Sequence, residues 1–300
     1  MSMPNSNLAE PNQLEEKPFI FERPYTIEAP QTGSVPVLMA SPHSGRIYPD
    51  HVTSALKVDV RSVRRIEDAY VDRLYDHAAE YGATLIAARY ARAVTDLNRD
   101  ANELDPDMFS DAPPRTCGTP TARVSAGLGS LPRITAGGEE IYARKLTSAE
   151  GEARLSQIHD RYHERIQLEL QSLRLRHGLA VLIDCHSMPS KQPNQRRLPD
   201  IILGDRFGSS CDSKLIGRVE RAFKASGLSV TRNAPYAGGF TTRRYGRPKT
   251  GIHALQIEIN RALYMDEDTL EPHSGFADLK DILVRVTTEI IDATSRLKRF

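Results

Sequence analysis

Two histidines of this chain of 300 residues stand where an apolar run breaks into a polar turn. His43 lies in Ser41-Pro42-His43-Ser44-Gly45, after the run Val-Pro-Val-Leu-Met-Ala, and His186 follows Val181-Leu182-Ile183-Asp184-Cys185. Neutral imidazole is the commonest metal ligand, and catalytic zinc sites take three protein ligands while keeping one position open. A lone histidine at such a break usually just caps its strand, but two together point to one shared divalent cation, zinc first. Ring nitrogens bonded to a single ion at ~2.0–2.1 Å must come within about 5 Å of each other. The third ligand is expected from Arg65-Ile66-Glu67-Asp68-Ala69-Tyr70-Val71-Asp72. Asp68 is the first choice, with Glu67 and Asp72 open; the plainer role for these acids is to complement a helix dipole or to face solvent.

In the run from His253 to Asn260, Leu255, Ile257 and Ile259 alternate with Gln256 and Glu258. A carboxylate inside a strand is costly unless paired or used, and beside a cation site Glu258 is placed to act as a general base. Its competing role is an ion pair with Arg261 or another arginine. His253 is expected to orient Glu258 or to act as an alternative acid. Arg89, Arg92 and Arg99 offer positive charge and a planar fork for the carboxylate of an acidic substrate, with Asn98 beside Arg99 to help, although clustered arginines are more often solvated. The stretch 233–242 is rich in glycine and is expected to close over the site, with Gly239 and Thr241 as substrate contacts. It lacks the phosphate-cradling GxxxxGK[ST] pattern, and without a GxSxG turn a serine hydrolase is disfavoured.

These residues need a scaffold. Short apolar runs at 35–40, 83–88, 180–184, 199–203 and 254–259 read as buried strands, and amphipathic stretches at 62–81, 140–177 and 278–298 read as helices. Strands alternating with helices imply an α/β three-layer sandwich with a mixed, mainly parallel sheet, whose ligand site opens at the strands' C-terminal ends. The irregular stretch 105–138 is long enough to be a cover. Residues 1–17, rich in Asn, Pro and Glu, are expected to form a disordered tail before a single catalytic domain over 18–300. Forty Lys plus Arg against 39 Asp plus Glu leave a net charge of +1, so no long-range field favours nucleic acid or an anionic membrane. Three cysteines without CxxC spacing, and no apolar run near the ~20 residues that span a bilayer, fit a cytoplasmic protein.

In order and spacing, SPHSG (41–45), DAYVDRLY (68–75), RYARAVTDLNR (89–99), LIDCHSM (182–188), PDIILGDRFG (199–208), NAPYAGGF (233–240) and HALQIEINRALYMDE (253–267) resemble the N-formylglutamate amidohydrolases. The resemblance implies a zinc-dependent fold similar to the zinc carboxypeptidases. It puts the ligands at His43, Asp68 and His186, the water-activating carboxylate at Glu258 and the substrate-carboxylate pair at Asn98 and Arg99. In the carboxypeptidase pattern the acidic ligand is three residues after the first histidine, where this chain has Arg46, so Asp68 takes that role. The implied reaction converts N-formylglutamate into formate and glutamate, as in histidine degradation; the alternative is another N-acylamino acid or small peptide. Asp68-Ala69-Tyr70 replaces the Asp-Trp-His usual in the family, and the chain has no Trp.

Overall fold

A computed structural model describes residues 19–119, 121–192 and 194–300; the expected tail at 1–17 lies outside them. Seven strands form one sheet: β1 (Tyr25–Glu28), β2 (Val37–Ser41), β3 (Thr84–Ala88), β4 (Ala180–Met188), β5 (Ile201–Gly204), β6 (Val230–Arg232) and β7 (Ile252–Asn260). Their order is β1-β3-β2-β4-β7-β5-β6. β3, β2, β4 and β7 run parallel, while β1 and β5 pair antiparallel with β3 and β7. The five expected strands all form, and β1 and β6 extend the sheet at its edges.

All nine residues of β4 are buried, as are all but the first of β7, because helices cover both faces of the sheet. On one face Val181, Ile183 and Cys185 of β4 and Leu255, Ile257 and Ile259 of β7 pack against α3 (Ser213–Ala225) and α5 (Gly275–Thr294). Ala180, Leu182 and Ala254 face the other way. They pack beneath α1 (Ser148–Arg154) and α2 (Arg161–His177), where Tyr162, Ile166, Leu170 and Leu173 meet them. Side chains alternate along a strand, so Asp184, His186, Gln256 and Glu258 share the α2 face, and the register sets His186 opposite Glu258.

The expected continuous helix at 62–81 is broken. The chain forms one turn at Val60–Arg64, another at Val71–Leu74 and a 3-10 turn at Asp76–Tyr81, with Tyr70 left-handed at φ 65° between the first two. Arg261 is the physical reason. Its guanidinium bonds to the carbonyls of Arg65 and Glu67 at 3.0 and 2.6 Å, and Asp68 N–H donates to the His43 carbonyl at 2.9 Å. These groups serve the sheet edge instead of a helical ladder. The stretch 140–177 likewise becomes helical only at Ser148, behind a Thr147 cap, and carries a π turn at Leu155–Asp160 between α1 and α2. No helix among the described residues is long and apolar enough to cross a membrane.

Candidate active site

His43, just beyond β2, and His186, near the end of β4, come together with Asp68 from the broken segment. One atom from each can be chosen so that all three lie within 4.8 Å of one another, inside the ~5 Å that a shared ion requires. His186 Nδ1 is 2.9 Å from Asp68 Oδ2, and His43 Nδ1 is 3.4 Å from the same oxygen. His43 Nε2 donates to Asp96 Oδ1 at 2.7 Å, which leaves Nδ1 buried and without a hydrogen-bond partner. His186 Nε2 lies 3.1 Å from Asp184 Oδ1 and 3.1 Å from Asn98 Nδ2. Each ring therefore turns Nδ1 toward Asp68; behind His43 the Asp96 carboxylate holds Nε2, the arrangement that orients ligating histidines, while His186 Nε2 meets the Asn98 amide close to Asp184. With its orphaned nitrogen, this donor set fits a divalent cation such as zinc.

The charges fit as well. Burial opposes ionisation of Asp68, but His186 and His43 hold its carboxyl well below the usual range. Burial also opposes charge on His186, yet Asp184 and Asp68 carry its imidazole well above the ordinary value. A cation held by His43, Asp68 and His186 would replace the proton shared between His186 and Asp68. Arg261 grips Asp68 from behind, Nη2 to Oδ1 at 3.0 Å, leaving Oδ2 to the histidines. Of the open alternatives, Glu67 accepts from Tyr48 and Arg64, and Asp72 pairs with Arg46.

Glu258 lies in the same cavity, which encloses about 440 Å³. Burial pushes its carboxyl up to about 8; His186 opposes the shift, while Asp68 and Asp184 add to it. Gln256 donates to Glu258 Oε1 at 2.8 Å and accepts from Gly239 N–H at 2.9 Å, tying the 233–239 loop to the carboxylate. The competing ion pair does not form, because Arg261 is committed to Asp68, the Glu67 and Arg65 carbonyls and Ser187.

Arg92, Asn98, Arg99 and Gly239 line the cavity. Three expected site residues are elsewhere. His253 has the parity of Leu255, so its ring faces away from Glu258, and its Nδ1 accepts from Asp212 N–H at 3.2 Å. Arg89 turns outward to the Arg23 carbonyl and Glu22, since it sits one residue past β3 at the β1 edge. Thr241 lies in the first turn of α4 (Phe240–Tyr245), outside the cavity lining, and only its backbone takes part, donating to Asn98 Oδ1 at 2.9 Å. Sequence reasoning gave no site role to Asp96, Asp184 or Gln256, and it considered Arg261 only as a partner of Glu258. Asp184 and Gln256 had a usable signal, being two residues before His186 and Glu258 and so on the same strand face.

A family model for N-formylglutamate amidohydrolase matches residues 35–265. The chain belongs to the N-formylglutamate amidohydrolase family. It is 35% identical over 266 residues to an N-formylglutamate deformylase of Pseudomonas aeruginosa, spanning 87% of this chain and 93% of that one. Over 267 residues it is 35% identical to the Pseudomonas putida deformylase, with 87% and 92% covered. The crystal structure of an N-formylglutamate amidohydrolase from Ralstonia eutropha JMP134 superposes with a TM-score of 0.86 at 33% identity, over 92% of this chain and 99% of that one. In this member of the family, two further histidines hold the cavity wall. His159 Nε2 donates to the Arg99 carbonyl at 2.9 Å and His163 Nε2 to the Leu97 carbonyl at 2.8 Å, bracketing Asn98.

Burial holds His163 well below the usual histidine range, with His159 and Arg244 adding to the effect. A depressed folded value means the stability it contributes is complete above the unfolded value near 6.5 and is lost as pH falls below it, by about 1.4 kcal/mol per pH unit. The melting temperature of the wild type should therefore drop more steeply between pH 6.5 and 5 than that of His163→Gln. Equal slopes in thermal scans would show that this ring does not carry the effect.

Proposed function

We propose that the chain is a divalent-cation-dependent amidohydrolase, zinc being the first candidate, that hydrolyses N-formylglutamate to formate and glutamate. The observation that carries this reading is the convergence of His43 Nδ1, Asp68 Oδ2 and His186 Nδ1, with the His43 nitrogen orphaned, beside a buried Glu258. The deformylase names of the relatives supply the substrate. When bound, the cation supplies Lewis-acid polarisation of the formyl carbonyl and lowers the pKa of water toward ~7.

The chain's own groups do the rest. Glu258 accepts a proton from the attacking water and delivers it to the amide nitrogen as the C–N bond breaks, so formate and a free amine leave. A cation bound beside Glu258 would favour its ionised form against the burial that raises its value, which is the form that accepts the water proton. Gln256 fixes one Glu258 oxygen and leaves the other to the water. Arg99 keeps N–H groups for a substrate carboxylate beyond those bonded to the Leu128 and Asn98 carbonyls. Asn98, engaged with His186 and Thr241, keeps that arginine and the ligand ring in register. The substrate is a small acidic N-acylamino acid, and with three unpaired cysteines the protein is assigned to the reducing cytoplasm.

Metal analysis of the purified protein, combined with a formate-release assay on N-formylglutamate, tests this reading. One equivalent of a divalent cation and chelator-sensitive formate release are expected. A fully folded, cation-loaded protein that releases no formate would refute the substrate.

A further inference from the structure

Three acids of the cavity, Asp68, Asp96 and Glu258, face five arginines: Arg65, Arg92, Arg99, Arg123 and Arg261. Most of this positive charge is spoken for. Arg261 is bound to Asp68, Arg92 is 2.8 Å from Asp96, and Arg65 points out toward Asp268 at 3.7 Å. Arg99 reaches Asp96 only at 4.0 Å, on an oxygen that Arg92 already holds. The guanidinium of Arg123 makes no hydrogen bond or ion pair with any other described residue. Burial lowers the Arg99 value, Asp96 opposes this, and the nearby positive charges of Arg92 and Arg123 lower it further. The wall formed by Arg99 and Arg123 thus has more positive charge than the protein neutralises.

The backbone holds that wall in place. Arg99 Nε donates to the Leu128 carbonyl at 3.0 Å, and Leu128 N–H donates in turn to the Arg123 carbonyl at 2.8 Å. Thr121 caps the turn Ala122–Ser125 by accepting from Val124 N–H at 3.2 Å, and Val124 is buried beneath it. Asp96 N–H donates to the Ser130 carbonyl at 2.7 Å, joining the same segment to the residues behind His43. Arg123 therefore rides on an anchored segment, although its side chain is exposed.

We propose that Arg123 binds the side-chain carboxylate of the substrate while Arg99 takes the α-carboxylate, making the site selective for N-acyl derivatives of dicarboxylic amino acids. This rests on the amidohydrolase reading above. The α-carboxylate is attached to the carbon that bears the scissile nitrogen, so it belongs with the arginine nearer the ligand cluster. Arg99 is that one, through Asp96 and His43. The second carboxylate lies farther along the chain of the substrate, where the outer wall presents Arg123. A guanidinium fork suits it, and a neutral amide in its place leaves that charge without a partner.

Steady-state kinetics on cation-loaded protein with N-formylglutamate and its neutral isostere N-formylglutamine test the assignment. The wild type should prefer the glutamate derivative by ~10- to 100-fold in kcat/KM, the range of a hydrogen bond to a charged group. Arg123→Gln should cut that preference at least ~10-fold, chiefly by raising KM for the glutamate derivative, and Arg123→Lys should restore part of it. An unchanged preference in Arg123→Gln, an equal loss on both substrates, or a wild type without preference would each overturn the role of Arg123. A folded, cation-loaded wild type that cleaves neither compound would instead remove the amidohydrolase reading on which it rests.

Discussion

Glu258→Gln is expected to lower turnover by about 10²- to 10⁴-fold while the protein keeps its cation. The amide has the shape of the carboxylate and can still meet the Gln256 side chain, but it cannot take a proton from water at neutral pH. None of the three converging ligand atoms belongs to Glu258, so metal content should not change. Misfolding is an unsuitable explanation for the loss, because the buried carboxyl is pushed up to about 8. An acid with a raised folded value favours its protonated form in the fold. The cost of ionising it therefore begins as pH rises above the unfolded value near 4.3 and is complete above about 8. In the metal-stripped state the glutamine variant should melt no lower than the wild type at pH 7 and higher at pH 9. Initial rates, metal content and thermal scans on one preparation check all three expectations. Near-normal turnover in a cation-loaded variant removes Glu258 from the proton transfer.

The second large effect concerns the cation itself. His186→Ala or His43→Ala removes one of three converging donors, and affinity for zinc should fall by more than ~10²-fold, since even the partners behind such ligands are worth ~10–100-fold. Arg261→Met should show that smaller loss, because it frees Asp68 Oδ1 and loosens the 65–68 turn without removing a donor. Competition with a chromophoric chelator measures all three affinities. Wild-type affinity in both histidine variants would sink the site, whereas wild-type affinity in Arg261→Met alone would limit that arginine to a role in the fold. Stripped wild-type protein should lose formate release and regain it when zinc is returned.

Much of this was legible in one dimension. A strand buried on both faces must be apolar along its length, so the five main strands stand out as runs, and the turn that ends each one marks the open edge of the sheet. His43, His186 and Glu258 were conspicuous for the same reason, as polar residues where apolar ones are expected. Period-two alternation also carried the face of His253, which has the parity of Leu255, so the expectation that it meets Glu258 ran against the pattern of its own strand.

Tertiary structure decided what no local pattern carries. The acids at 67, 68 and 72 sit on one short amphipathic stretch, and choosing among them depended on Arg261, nearly 200 residues away, which breaks the helix and aims Asp68 at the rings. The pairing of His186 with Glu258 is a matter of strand register, and the carboxylates behind the two histidines come from different segments, Asp96 beyond β3 and Asp184 within β4. The sequence by itself determined which residue types the sheet's edge would expose, because burial and side-chain alternation act between near neighbours. Only the folded chain decided which of them meet, because hydrogen bonds and charges act through space between segments whose separation along the chain says nothing of their distance.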